Sequence, residues 1–270
     1  MKQGNIAILG SGNIGISLAR GLVKANYINA GQLCLTRRNM TRLNDLADEG
    51  FNLSTDNIAA VQAASIVVLA VLPQQLNVVL DQIAPYVDPQ KHLLISVASG
   101  VSCREIRNKL NGDVQVVRAM PNTAIAIGQS MTCVATDNGT KENIAEVISM
   151  FETVGAVISI NEDLMTAATA LCACGTAFFL RAIRAASQGG VEIGFHADEA
   201  LRMAVQTAKG AADLLLQMKS HPEQEIDKVT SPKGCTIAGL NEMEHNGFSS
   251  SLIKGIKLSA LKAGNLYTEE

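Results

Sequence analysis

The chain has 270 residues, 47% of them hydrophobic, and a net charge of −3. That is enough to bury a sizeable core, in one large domain or two small ones, and it gives no general attraction to nucleic acid or anionic lipid. No apolar run is expected to reach the ~18–20 residues that span a bilayer, and Met1-Lys2 leads straight into a strand-like pattern without a secretory cleavage site.

In chain order, apolar strand-like runs are predicted over 5–9, 32–35, 66–70, 93–97, 114–117, 131–135 and 156–160. Helical patterns are predicted between them over 14–26, 41–49, 74–84, 102–110 and 140–152. Continuous apolar strands alternating with helices imply a parallel sheet covered on both faces, an α/β doubly wound (Rossmann) domain over residues 1–160. After Ile160 the strand signal stops. Asn161-Glu162-Asp163 is a helix start, with acidic groups near the positive end of the dipole. Helical periodicity then fills 161–270, with one stripe at Leu201, Ala204, Ala208, Ala211 and Leu215 and another at Ile253, Ile256, Ala260, Ala263 and Tyr267. Such stripes are more often internal core than partner surface. Yet an all-α domain this rich in small residues leaves apolar area over, which points to a homodimer through these helices.

Gly10-Ser11-Gly12-Asn13-Ile14-Gly15 places G-x-G-x-x-G between the first strand and the first helix. One glycine allows the tight turn, the next a close approach to pyrophosphate, the third close helix–strand packing; the helix N-terminus offers N–H groups to the phosphates. At the end of the second strand an NAD enzyme usually carries an acid. Here stand Leu35-Thr36-Arg37-Arg38-Asn39, two guanidiniums and no carboxylate, which favours NADPH with NADH as the weaker alternative. The six cysteines (34, 103, 133, 172, 174, 235) form no CxxC pair or dense framework, and no histidine stands at ligand spacing with one of them. This reads as a reduced, cytoplasmic protein without a structural metal. Cys172 and Cys174, two residues apart on one helical run, face different ways and do not pair.

Three further segments follow predicted strands: Leu69-Ala70-Val71-Leu72-Pro73-Gln74, Ile95-Ser96-Val97-Ala98-Ser99-Gly100, and Val117-Arg118-Ala119-Met120-Pro121-Asn122-Thr123. Together with Thr230-Ser231-Pro232-Lys233-Gly234-Cys235-Thr236-Ile237-Ala238-Gly239-Leu240, they resemble the pyrroline-5-carboxylate reductase family, over nearly the whole chain. The resemblance implies that Gly10 to Gly15, with Asn13 and Ile14, hold pyrophosphate. It further implies that Thr36 and Arg37 face the adenosine 2′-phosphate and that Asn57 lies near the adenosine. Ala70, Val71, Pro73, Ala98 and Met120 to Asn122 would line the cofactor. It also implies a helical second domain that interleaves with a partner, in dimers or decamers.

The chain departs from the family pattern at Leu72, where members have Lys, at Ala124 in place of a proline, across Cys172 to Thr176, and at Lys233 in place of glycine. On the expected chemistry, Ser231 caps a helix that begins at Pro232. The N–H groups of Lys233, Gly234 and Cys235 then cradle a substrate carboxylate, with Thr236 at the imine nitrogen; Asn122 also lines the substrate. Water or an already protonated iminium would serve equally as proton source. A β-hydroxyacid dehydrogenase would need G-x-x-x-K-x-x-N, whereas Gly175 is followed by Phe179, with Arg181 and Arg184 beyond. Reduction of a related cyclic imine acid, and a non-catalytic dinucleotide-sensing role, both remain open on the sequence.

Overall fold

Strand β1 (Ile6–Leu9) has no polar face. Ile6 and Ile8 join one buried cluster, Ala7 and Leu9 another on the opposite side of the sheet. A strand that alternates apolar with apolar belongs in the middle of a two-sided core, and that is its place in this computed structural model, which describes residues 4–39, 44–110 and 112–267. The elements after β1 are α1 (Asn13–Lys24), β2 (Leu33–Thr36), α2 (Asn44–Asp48), β3 (Asn52–Ser54), α3 (Asn57–Ala63), β4 (Ile66–Leu69) and α4 (Pro73–Ile83). There follow β5 (Leu93–Ser96), α5 (Cys103–Asn108), β6 (Gln115–Met120), β7 (Ser130–Ala135), α6 (Lys141–Glu152) and β8 (Gly155–Ser159). Residues 41–43 of the helix expected over 41–49 lie outside the described residues.

The strands lie in the order β3-β2-β1-β4-β5-β6-β7-β8. From β3 to β6 all neighbours are parallel, and the order reverses between β1 and β4, where doubly wound sheets open a ligand crevice. The expectation of a wholly parallel sheet needs correction at β7, which runs antiparallel to β6, while β8 runs parallel to β7. Residues 121–129 join β6 to β7 through a single 3-10 turn, and a parallel crossover needs roughly a dozen residues or more.

Two compact units divide the chain. One comprises residues through Cys174 together with those from Lys257 onward; the other is Gly175–Ile256. The sequence suggested a division at 160, but Met165 and Ala168 of α7 (Met165–Ala168) are buried with Met120, Cys133 and Ala135 of the sheet. After α7 the helix loosens into a π-helical stretch, Thr169–Cys174. Near the other terminus the Tyr267 hydroxyl donates to Asn77 Oδ1 at 2.6 Å.

The second unit contains α8 (Gly175–Glu192), α9 (Ala197–Met218), α10 (Pro222–Lys228), α11 (Cys235–His245) and the first part of α12 (Phe248–Ala263). Helices α8 and α9 approach closely where Gly190 lies under Ala200; a Cβ on Gly190 would come within 2.9 Å of the Ala200 Cβ. This unit has no core of its own, since only Gly175 and Ala200 within it are buried. Leu201, Ala204, Ala208, Ala211 and Leu215, an expected core stripe, are half-buried or exposed. Ile193 and Leu216 are 78% and 76% exposed, and Phe179, Leu180 and Met218 are open as well. One helical run, Glu162–Glu192, is long and apolar enough by length and composition to cross a bilayer, contrary to the sequence expectation. The same composition serves a helix whose apolar side is covered by protein.

Candidate functional site

The parallel register sets the stage. Thr36, Leu9, Leu69, Ser96 and Arg118 form one row across β2, β1, β4, β5 and β6. The glycine turn, the Ala70–Pro73 segment, Ala98 and Met120–Asn122 therefore all emerge from one edge of the sheet, the carboxyl ends of its strands.

Within the glycine turn the three glycines face different surroundings. Gly10 has φ +96°, and a Cβ there would meet the Ala70 carbonyl group at 2.8 Å and Val71 Cγ1 at 2.7 Å. Gly15 is pressed against the Gly10 carbonyl oxygen, 2.8 Å from where its Cβ would lie. A Cβ on Gly12 would meet nothing within 4 Å. Nothing in the protein requires a glycine there, so the open ledge fits a ligand that comes close to the backbone, as a pyrophosphate does. The N–H groups of Gly10 and Ser11 both donate to the Thr36 carbonyl, and that of Gly12 to the Gly10 carbonyl. The donors left for an anion are those of the first turn of α1, at Asn13, Ile14 and Gly15, which lack intrahelical acceptors. Ser11 is buried, and its hydroxyl also donates to the Thr36 carbonyl at 3.1 Å. Its part is to hold the turn.

At the end of β2 the half-buried Arg37 reaches back over this turn, Nη1 donating to the Ser11 carbonyl at 2.7 Å, while Arg38 is exposed. Thr36 is buried and its hydroxyl donates to Asn57 Oδ1 at 2.6 Å, so its proton is committed to Asn57. Asn57 in turn donates to Gln82 Oε1 at 2.9 Å. Sequence reasoning missed α3, although Asp56, which accepts from the Ile58 and Ala59 N–H groups as its cap, was a readable signal.

Further along the edge, Pro73 begins α4 behind an exposed Leu72, and Ala98 is buried. Asn122 is held at three points: its N–H by Ser130 Oγ at 3.1 Å, its Oδ1 by the Ala124 N–H at 3.0 Å, and its Nδ2 on the Cys172 carbonyl at 3.2 Å. Arg118 is buried, with Nη1 3.2 Å from Glu162 Oε1, which also accepts from the Cys103 N–H at 2.7 Å. Cys103, Asp137 and Glu162 bring ligand atoms within 4.8 Å of one another. Arg107 grips Asp137, Arg118 pairs with Glu162, and burial pushes the Cys103 thiol up to about 12. Two guanidiniums and a protonated thiol make a poor cation site.

In the helical unit the structure corrects one local expectation. Helix α11 begins at Cys235 with Gly234 as its N-cap, not at Pro232 behind Ser231. Residues 231–234 form a turn closed by Gly234 N–H to the Ser231 carbonyl at 2.9 Å, with Lys233 at φ +58°. That pattern is a type II turn with proline second and a positive φ third. Proline's fixed φ suits that position and a helix start equally, so the sequence could not separate them. The Gly234 N–H is committed to the turn, and the first-turn donors become Cys235, Thr236 and Ile237.

Comparison with known proteins decides the family. The chain is 50% identical over 275 residues to pyrroline-5-carboxylate reductase 2 of Dictyostelium discoideum, covering 96% of this chain and 92% of the relative. This chain belongs to the pyrroline-5-carboxylate reductase family. It is 51% identical to that organism's pyrroline-5-carboxylate reductase 1, spanning all of this chain but about half (51%) of the relative's length. Residues 162–266 match the family's dimerisation domain, and residues 5–100 match a family described as NADP oxidoreductase, coenzyme F420-dependent. Among solved structures, Plasmodium falciparum pyrroline carboxylate reductase with NADP bound is similar at TM-score 0.91 and 25% identity, over 99% of this chain and 100% of that one. The Coxiella burnetii reductase follows at 0.90 and 27%, with the same coverage.

Proposed function

We propose that this chain reduces 1-pyrroline-5-carboxylate to L-proline with a nicotinamide dinucleotide, NADPH in preference to NADH. The observation that carries the reading is the open ledge at Gly12, in a chain that matches these reductases almost end to end. The dinucleotide, when bound, supplies hydride to the C=N carbon; the chain binds, orients and protonates. Asn13, Ile14 and Gly15 hold the pyrophosphate, and Arg37, with the exposed Arg38 beside it, pairs with the 2′-phosphate. Asn57, fixed by Thr36, lies at the adenosine. Ala70, Val71, Pro73, Ala98, Met120, Pro121 and Asn122 line the nicotinamide half. The substrate carboxylate docks at the N-terminus of α11, on the N–H groups of Cys235, Thr236 and Ile237, with Ser231, Lys233 and Gly234 shaping the approach. The Thr236 hydroxyl donates to the imine nitrogen, which gains basicity as the carbon accepts hydride.

Residues 1–160 thus serve the dinucleotide and 161–270 the substrate and a homodimer formed through the helices. The exposed apolar surface of α8 and α9 supports that assembly, and the spacing of the six cysteines, with no CxxC pair or dense framework, supports a reducing, cytoplasmic setting. The test follows loss of reduced-nicotinamide absorbance on mixing the protein with NADPH and pyrroline-5-carboxylate. No turnover with this substrate or its six-membered homologue, despite NADPH binding, would overturn the reading in favour of a sensor. Thr236→Ala should lower kcat roughly 100-fold with NADPH affinity unchanged; an unaltered rate removes Thr236 from the mechanism.

A further inference from the structure

The π-helical stretch Thr169–Cys174 carries Cys172 to β7 (Ser130–Ala135), where its Sγ lies 3.8 Å from that of Cys133. Cys133 is 3% exposed, among Met120, Ala135, Met165 and Ala168, whereas Cys172 is half-buried and the accessible member of the pair. The two are 39 residues apart in sequence and come from different elements, so the fold alone makes them neighbours. The Cys172 carbonyl, moreover, is the acceptor on which Asn122 Nδ2 rests.

We propose that Cys133 and Cys172 are a modification site, a reversible intrachain disulfide formed by hydrogen peroxide. In the first step the Cys172 thiolate attacks one peroxide oxygen: an S–O bond forms, the O–O bond breaks, and hydroxide leaves, taking up the thiol's proton as water. In the second, Cys133 sulfur attacks the Cys172 sulfenic sulfur. The S–S bond forms, the S–O bond breaks, and the leaving hydroxide takes the Cys133 proton. Two thiols lose two electrons in all, and one peroxide becomes two waters. Cys172, the accessible sulfur, meets the peroxide and is the nucleophile, while Cys133, 3% exposed and in contact with it, resolves the sulfenic acid. The hydrogen bond between the two sulfurs holds the Cys172 thiol below its ordinary range.

Bond formation draws the sulfurs from 3.8 Å to about 2.05 Å. Cys172 stands in the π-helical stretch, the least regular part of this helical run, and is the side that moves. Its carbonyl moves with it, and Asn122 loses its seat. The consequence for turnover rests on the proposed function; formation of the bond does not.

The test treats the purified full-length protein with equimolar hydrogen peroxide and maps its peptides by mass spectrometry before and after dithiothreitol. The expected product is one cross-linked peptide pair containing Cys133 and Cys172, two hydrogens lighter, restored by the reductant. Turnover should fall by up to roughly 100-fold, as expected for misplacement of about 1 Å at a reacting centre, and should recover with reduction. Cys172→Ser and Cys133→Ala should each keep their own untreated rate under peroxide. Two reduced thiols, a Cys172–Cys174 or intermolecular bridge, or a sulfenic acid that Cys133 never resolves would overturn the pairing. A disulfide that leaves turnover unchanged would overturn its coupling to Asn122. Loss of turnover that persists in Cys172→Ser would overturn the assignment of the effect to this pair.

Discussion

The sheet unit and the helical unit place their apolar residues in opposite ways. Around the sheet, two clusters close over both faces, and Phe151, Leu9 and Leu69 have no exposed surface. Within Gly175–Ile256 only a glycine and an alanine are buried, and leucines, isoleucines and phenylalanines stand open. Both units are apolar by sequence; one closes its core, and the other, within residues 162–266 that match a dimerisation domain, leaves its apolar faces open in a single copy of the chain. An apolar stripe identifies a face that must be covered and is silent about what covers it.

The sharpest way to break this contrast is a pair of truncations. Phe151→Ala should cost about 3–5 kcal/mol in denaturant unfolding, at every protein concentration. Leu216→Ser, at a 76% exposed position, should instead shift self-association toward monomer in sedimentation and make the apparent Tm more concentration-dependent. If Leu216→Ser leaves association untouched, that face is not the covered one.

A second comparison asks whether the sheet unit holds the dinucleotide by its own residues. Arg37→Ala should weaken NADPH by about 1.5–3 kcal/mol, the worth of a charged hydrogen bond, with little change for NADH, read as the ratio of the two Kd values. Within the glycine turn, Gly10→Ala should destabilise by about 1–3 kcal/mol through its positive φ and the Ala70 backbone. Gly12→Val should cost no more than about 1 kcal/mol in unfolding, the worth of its N-cap position on α1, yet raise the dinucleotide Kd at least about tenfold. Equal effects at the two glycines would mean that Gly12 is structural.

The smallest expected effect is a pH slope. His92 is buried; its Nδ1 accepts from the Asp88 N–H at 2.8 Å and its Nε2 lies 3.1 Å from the Val61 carbonyl. Burial, with Lys91 nearby, holds its pKa below the ordinary value. The unfolded chain thus takes up the proton first: stability is full above about 6.5 and falls as pH drops from there toward the folded value, by at most about 1.4 kcal/mol per pH unit. Unfolding of His92→Gln should lack that slope.

The sequence by itself determined the βα alternation, because continuous apolar runs bounded by turns have few other solutions. It also determined the glycine turn, because the spacing of its three glycines is read against β1 and α1 directly. It missed β3 and α3, since Asn52–Ser54 is a short, half-polar edge strand with no buried side chain to mark it. The reversal at β7 was within reach from the length of its connection, but an apolar run carries no sign of its direction. Only the tertiary structure decided where α11 begins, because Pro232 fits a turn and a helix start alike. It also decided that Thr36 serves Asn57, and that Cys172 meets Cys133, since contacts between distant elements leave no trace in local spacing. The motif "TSPKGCTIAGL" announces a helix N-terminus; which N–H groups stay open there depends on the Ser231–Gly234 hydrogen bond, which the folded backbone makes.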